Sequence, residues 1–174
     1  MSERALADVM KCSAVFEKEV ADLYLTLAER VRFDDVIPLV LRHIARESSN
    51  HAELLRHMSL VLNLSSDIDC LEFLENRLKP VIALRNEVMR LKEVSPQYLS
   101  RVLTKLRDVE GLANEEIYSR TIYPLMASLI SNDVINTLLS EVATEEEFRE
   151  RLIKKLSEYL TKILEGKVGK SLRG

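Results

Sequence analysis

Apolar residues recur along most of the chain at alternating steps of three and four, the spacing that lines one face of an α-helix. The first such seam runs through Leu6, Met10, Ser13, Glu17, Val20, Tyr24, Leu27 and Val31 and predicts helix A over about 3 to 32. A second seam, through Ile37, Leu41, Ile44, Ser48, His51, Leu55, Met58 and Leu62, predicts helix B over about 35 to 63. Asp34 or Asp35 is its cap, and Pro38 is tolerated in its first turn. Leu64-Ser65-Ser66-Asp67 reads as a break, followed by a helical connection through Leu71, Leu74, Leu78, Leu84, Val88 and Leu91 that Pro80 kinks or splits. Ser95-Pro96 is a strong start signal, a capping hydroxyl before proline at the first helical position. It opens helix C, about 96 to 129, through Leu99, Val102, Leu106, Val109, Ala113 and Ile117, with a bend expected at Pro124. Ser131-Asn132-Asp133 caps helix D, about 132 to 165, whose seam is Ile135, Leu139, Val142, Glu146, Arg149, Ile153, Leu156, Leu160 and Ile163. Gly166 suits its C-terminal stop.

Four helices of similar length pack as matched rods. Very short turns make A–B and C–D antiparallel hairpins, and about 30 residues between B and C suffice to cross the length of the bundle. The expected fold is therefore all-α, a four-helix bundle with a long helical crossover, formed by residues 1–166 with a flexible tail at 167–174. Composition agrees. The 174 residues are 47% hydrophobic and 30% charged with four glycines, three of them among the last nine residues, so the tight turns of an all-β fold have no glycine to serve them. The formal charge is −3 with both signs interspersed, which gives no field to attract nucleic acid or anionic lipid. The start of the chain is charged, and no apolar run reaches the ~18 residues of a membrane span, so the expected location is the cytoplasm. Cys12 and Cys70 form neither a disulfide framework nor a metal-binding pair, and each reads as a small buried apolar residue. Gln97 is the only glutamine beside many Glu, Lys and Arg, a bias of heat-adapted proteins.

The polar residues that interrupt the seams carry the candidate chemistry. Glu17, Ser48, His51, Glu146 and Arg149 all fall near mid-helix. Glu17 lies about as far before the A–B turn as Ser48 to His51 lie after it. The same count about the C–D turn sets Glu146 and Arg149 opposite Glu110, Glu115 and Glu116. One layer across the bundle can thus hold them all. Glu47, one turn before His51, is a further carboxylate on that helix. His43 and His57 read as surface residues, and two of Glu145, Glu146 and Glu147 as solvated. Gly166-Lys-Val-Gly169-Lys170-Ser171 lacks both the glycine spacing and the following helix of a phosphate-binding loop. No nucleophile elbow or Cys/His pair is present either.

At this layer the chain resembles the ferritin and rubrerythrin-like family, whose bundles carry one Glu on each of two helices and Glu-x-x-His on each of the other two. Glu17-Lys-Glu-Val-Ala21-Asp-Leu-Tyr24 follows the family's Glu, Ala, Tyr pattern. Helix B keeps His51 but has Ser48 in the glutamate position, and helix D keeps Glu146 but has Arg149 in the histidine position. In helix C, Glu116 and Tyr123 repeat the spacing of Glu17 and Tyr24. The resemblance implies ferritin-like connectivity and a metal site drawn from Glu17, Glu47, His51, Glu116 and Glu146. Tyr24 and Tyr123 would donate hydrogen bonds to the ligating carboxylates. Against a full pair of ions, the carboxylates are too few, and Arg149 sets a permanent positive charge where a metal would sit. Arg149 is then the counter-ion of Glu17, Glu116 or Glu146. The leading expectation is a ferritin-like protein with an eroded di-metal site and weak, altered or no metal binding. Two alternatives stay open: a working iron- or manganese-dependent oxidoreductase or iron/peroxide-handling protein, and a metal-free module for interaction or oligomerisation. The expected partner is a second copy, as a homodimer.

Overall fold

The computed structural model describes residues 3–112 and 123–166, with no side-chain description at 107–112, 125 and 129. Its secondary structure there is entirely helical apart from one isolated bridge. The described residues form seven helices, in order: α1 (Glu3–Arg30), α2 (Val36–Val61), α3 (Cys70–Phe73), α4 (Glu75–Met89), α5 (Pro96–Leu112), α6 (Tyr123–Leu129) and α7 (Asp133–Leu164).

The capping chemistry explains where most of these begin and end. Asp34, rather than Asp35, accepts the Val36 and Ile37 amides at 2.8 and 2.9 Å, and its other oxygen accepts the Tyr159 hydroxyl, tying the α1–α2 turn to α7. Ser95 Oγ accepts from Tyr98 N, and Asn132 Oδ1 accepts from Val134 N and Ile135 N. α2 ends in a Schellman turn: Asn63 takes the left-handed conformation (φ 53°), Leu64 N donates to Ser59 O, and Asn63 N donates to Leu60 O. Gly166 at the end of α7 is likewise left-handed (φ 69°), and its N donates to Ile163 O. The connection splits at Leu74, between α3 and α4, and Pro80 is carried inside α4. Its end is pinned to the α1–α2 turn, where Val94 N donates to Arg30 O.

α1 and α2 pack antiparallel along their length, α4 lies on α1, and α7 packs against α2, α5 and α6. Every anticipated seam residue of α1 is buried, as are those of α2 and α7 apart from their last members, Leu62 and Ile163, which are half-buried. In the connection, Leu71 is exposed and Cys70 takes the inward position. The expected continuous helix C is represented by α5 and α6, with Ala113 and Ile117 outside the described residues, as is the 167–174 tail.

The largest departure from expectation concerns the cysteines. Cys12 and Cys70 are buried, but as partners in a disulfide with Cα atoms 5.1 Å apart, so they are not independent apolar fillers. Sequence spacing hid this because the two cysteines stand 58 positions apart and come into contact only when α2 folds back along α1. The bridge belongs to a line of fastenings from one face of α1 onto the chain leaving α2. Arg4 pairs with Asp67, Asp8 accepts from Ser66, and Lys11 donates to the carbonyls of Ser66 and Ile68.

Candidate functional site

The buried side chains form two apolar cores stacked along the helices. One contains Val20, Tyr24, Leu41, Ile44, Ile153 and Leu156, and the other Met10, Leu55, Tyr123, Leu139 and Val142. Between them each long helix contributes polar residues: Glu17 from α1, Ser48 and His51 from α2, Glu146 and Arg149 from α7. All five are at least 96% buried. The period that makes each seam apolar above and below also turns these five inward, so they meet in one layer.

The guanidinium of Arg149 is the hub. Its Nη1 donates to Glu17 Oε2 at 3.0 Å and to Ser48 Oγ at 2.5 Å, and its Nη2 donates to Glu146 Oε2. The second oxygen of Glu146 lies 2.8 Å from His51 Nδ1, and on the far side of the ring Nε2 lies 2.7 Å from Glu145 Oε2. With an acceptor carboxylate at each nitrogen, the doubly protonated imidazolium satisfies both contacts. Burial is the largest single influence on His51 and pulls its pKa down. The hydrogen bond to Glu146, the charges of Glu17 and Glu146, and the bond to Glu145 outweigh it and raise the pKa from 6.5 to about 9. Burial likewise holds the Glu146 carboxyl above its usual range, although Arg149 and His51 pull the other way. Among the described residues, the four enclosed charges of Glu17, Glu146, His51 and Arg149 sum to zero, the condition under which ionised groups survive in a dry layer.

Glu145 is the participant that sequence reading assigned to solvent. Its side chain is 45% exposed, yet its carboxylate reaches under His51. A buried histidine with one nitrogen satisfied needs a second acceptor, and the residue adjoining Glu146 on the solvent side is placed to supply it. Glu47 goes elsewhere. It lies at the edge of the layer and pairs with the exposed His43 at 3.1 Å, outside the cluster formed by Glu17, His51 and Glu146. Tyr24 and Tyr123 are both fully buried and lie in different cores, one on each side of the belt. Exposed His57 takes no part. Glu115 and Glu116 lie outside the described residues, as does the side chain of Glu110.

Glu17, His51 and Glu146 each offer one ligand atom, and these atoms lie within 4.8 Å of one another, close enough to hold one ion. In the arrangement present they are committed otherwise. Glu17 Oε2 and Glu146 Oε2 accept from Arg149, Glu146 Oε1 faces His51, and a doubly protonated imidazole has no lone pair for a metal. Among the described residues, two buried carboxylates, one occupied histidine and a guanidinium do not fit a pair of divalent ions, whose +4 charge calls for several more anionic ligands. Among the described residues no helix is long and apolar enough to cross a membrane. No protein-family model, curated protein or solved structure matches the chain.

Proposed function

We propose that this chain is a ferritin-like bundle in which a salt-bridge layer has replaced the di-metal centre, so that its role is that of a metal-free helical protein rather than of an iron or peroxide redox enzyme. The observation that carries this reading is the Arg149 guanidinium, enclosed by Glu17, Ser48 and Glu146 at mid-bundle. The α1–α2 hairpin, the helical connection across to α5, and α7 packed against α2 and α5 support ferritin-like connectivity. Arginine serves here as a fixed cation that no change of pH in the physiological range discharges. Serine at position 48 fits the same logic, since a third carboxylate beside Glu17 and Glu146 would leave the layer with net negative charge.

The second reading, a single-metal oxidoreductase, draws on the mutual proximity of Glu17, His51 and Glu146. It requires Arg149 to leave the layer and His51 to lose a proton before a metal binds. Metal analysis separates the two. Protein purified with added iron or manganese is expected to hold far less than one ion per chain. Ser48→Glu with Arg149→His, which writes Glu-x-x-His into both α2 and α7, is expected to gain metal. Stoichiometric metal in the wild-type protein, lost in Glu17→Ala and in His51→Ala, would overturn the proposal.

A further inference from the structure

Where the crossover turns from α3 into α4, a cavity of about 450 Å³ opens between that turn and α1. The size is ordinary for a small-molecule site. α1 lines one side with Val9 and Ser13, and the stretch from Leu74 to Arg77 lines the other. α4 is 15 residues long and begins at Glu75 behind an apolar N-cap, Leu74, whose side chain accepts no amide. Arg77 N and Leu78 N donate to Leu74 O at 2.9 and 2.8 Å, which leaves the Glu75 and Asn76 amides without an acceptor among the described residues. Amides at this position point out of the helix end, where partial positive charge collects.

α1 supplies an independent observation. Ser13 is only 1% exposed, and its Oγ has no hydrogen-bond partner. Other hydroxyls on these helices donate to the carbonyl four residues back, as Thr26 does to Asp22, Ser59 to Leu55 and Ser157 to Ile153. Ser13 does not, and it faces the cavity instead. A buried hydroxyl with nothing to bond is costly unless a ligand arrives to satisfy it. One hydroxyl and two amides are therefore open to the same space.

The walls narrow the ligand. Neutral donors at a helix N-terminus suit an anionic oxygen. The charged groups around the mouth balance, since Glu75 is tied to Lys79 at 2.6 Å and Glu72 is matched in number by Arg77. A multiply charged anion gains no net field there, whereas a single carboxylate is served by the short-range donors. Val9, Leu74 and the ring of Phe73, which is 45% exposed, give an apolar wall for the rest of the molecule.

We propose that this cavity binds a small monocarboxylate with an apolar body, its carboxylate held by the Glu75 and Asn76 amides and Ser13 Oγ and its body against Phe73. The site is built by α1 and the crossover alone, so it stands whether or not the inner belt binds metal. Benzoate is the probe, titrated into the isotope-labelled full chain and followed by two-dimensional amide NMR. The Glu75 and Asn76 resonances are expected to move together and to saturate at millimolar benzoate. Benzyl alcohol, the same ring without a carboxylate, and inorganic phosphate are each expected to bind at least about tenfold more weakly. Ser13→Ala is expected to weaken benzoate about tenfold, the share of one hydrogen bond to a charged acceptor. The same variant should leave the urea midpoint of the ligand-free protein unchanged or raised, because an orphaned hydroxyl leaves the interior. Asn76→Asp sets a carboxylate in the first turn of α4, where it suits the helix dipole, and is expected to fold normally and abolish benzoate binding. Amides at 75 and 76 indifferent to benzoate overturn the proposal, as does a Ser13→Ala protein that binds it as the wild type does. A lower urea midpoint in ligand-free Ser13→Ala would mean that the hydroxyl has an internal partner, and equally refutes it. Phosphate binding tighter than benzoate overturns the assignment to a monocarboxylate.

Discussion

Replacing Arg149 by leucine is the most direct probe of the buried belt. The guanidinium is 3% exposed and its partners Glu17 and Glu146 are 4% and 1% exposed, so solvent screens none of these charges appreciably. In Arg149→Leu the layer holds two carboxylates against one imidazolium, and Ser48 Oγ and Glu17 Oε2 lose the donor they share. Breaking a buried ion pair from one side costs about 3–5 kcal/mol, because the surviving charge stays desolvated and unmatched. With a urea slope of about 2 kcal/mol/M for a domain of this size, the unfolding midpoint should fall by roughly 2 M. Neutralising the stranded partner should undo part of the loss: Arg149→Leu/Glu17→Gln should be more stable than the sum of the two single variants predicts, with a coupling of about 1–3 kcal/mol. Arg149→Lys keeps the charge but not the planar fork that reaches three acceptors, so it should fall between wild type and leucine. Urea melts at pH 7 on these four variants and the wild type decide the matter. A loss below about 1 kcal/mol in Arg149→Leu, or strict additivity with Glu17→Gln, would refute the view that the layer is a closed set of matched charges.

Two further outcomes follow from the same structure. His51 titrates near 9 in the folded chain and near 6.5 when unfolded, so the folded state holds its proton more tightly. The stability this contributes is complete below pH 6.5 and is lost as pH rises through about 9, amounting to about 3 kcal/mol. Urea midpoints measured from pH 6 to pH 10 should therefore decline, and the decline should vanish in His51→Asn; a wild-type profile as flat as that of the variant would count against the imidazolium. The Cys12–Cys70 bridge closes a loop of 58 residues, for which chain-entropy arguments give about 4 kcal/mol, with 2–4 typical in practice. Thermal melts of Cys12→Ser/Cys70→Ser should show that loss, and equal melting temperatures would mean that the non-covalent fastenings between α1 and residues 66–68 suffice alone.

The helices were legible because their signals are local. A cap such as Asn132, a proline at a first turn such as Pro96, and a seam repeating every three or four residues each act within a few residues of chain. The belt was legible for a related reason: a charged residue such as Glu146 in an otherwise apolar seam has to be buried, and antiparallel counting about a short turn brings it to the right height. What sequence could not supply depended on side-chain reach or on distant closure. Glu145 sits off the seam, and only the position of the His51 ring reveals that its carboxylate is an acceptor. Glu47 is within one turn of His51, but its face of the helix turns toward His43. The disulfide needed the stagger of α1 against the chain leaving α2, which no local pattern encodes.

The belt also bears on why these helices settle in one register. Leucine, isoleucine and valine seams tolerate sliding, since one apolar contact replaces another at modest cost. The two cores here are of that kind, and α7 could slip by one turn, about 5.4 Å, with its apolar residues still covered. The charged layer does not allow it. A one-turn slip of α7 would set either Ile153 or the like-charged Glu146 beside Glu17 and carry Arg149 toward a core that offers it no acceptor. Glu17 would then stand unmatched on one helix and Arg149 on another, each at a cost of several kcal/mol. Because Arg149 draws on acceptors from α1, α2 and its own helix at once, only one height of α7 satisfies it. A layer that adds little net stability over apolar packing therefore discriminates strongly among the ways of packing, and this follows from its charges whether or not its ancestors held a metal.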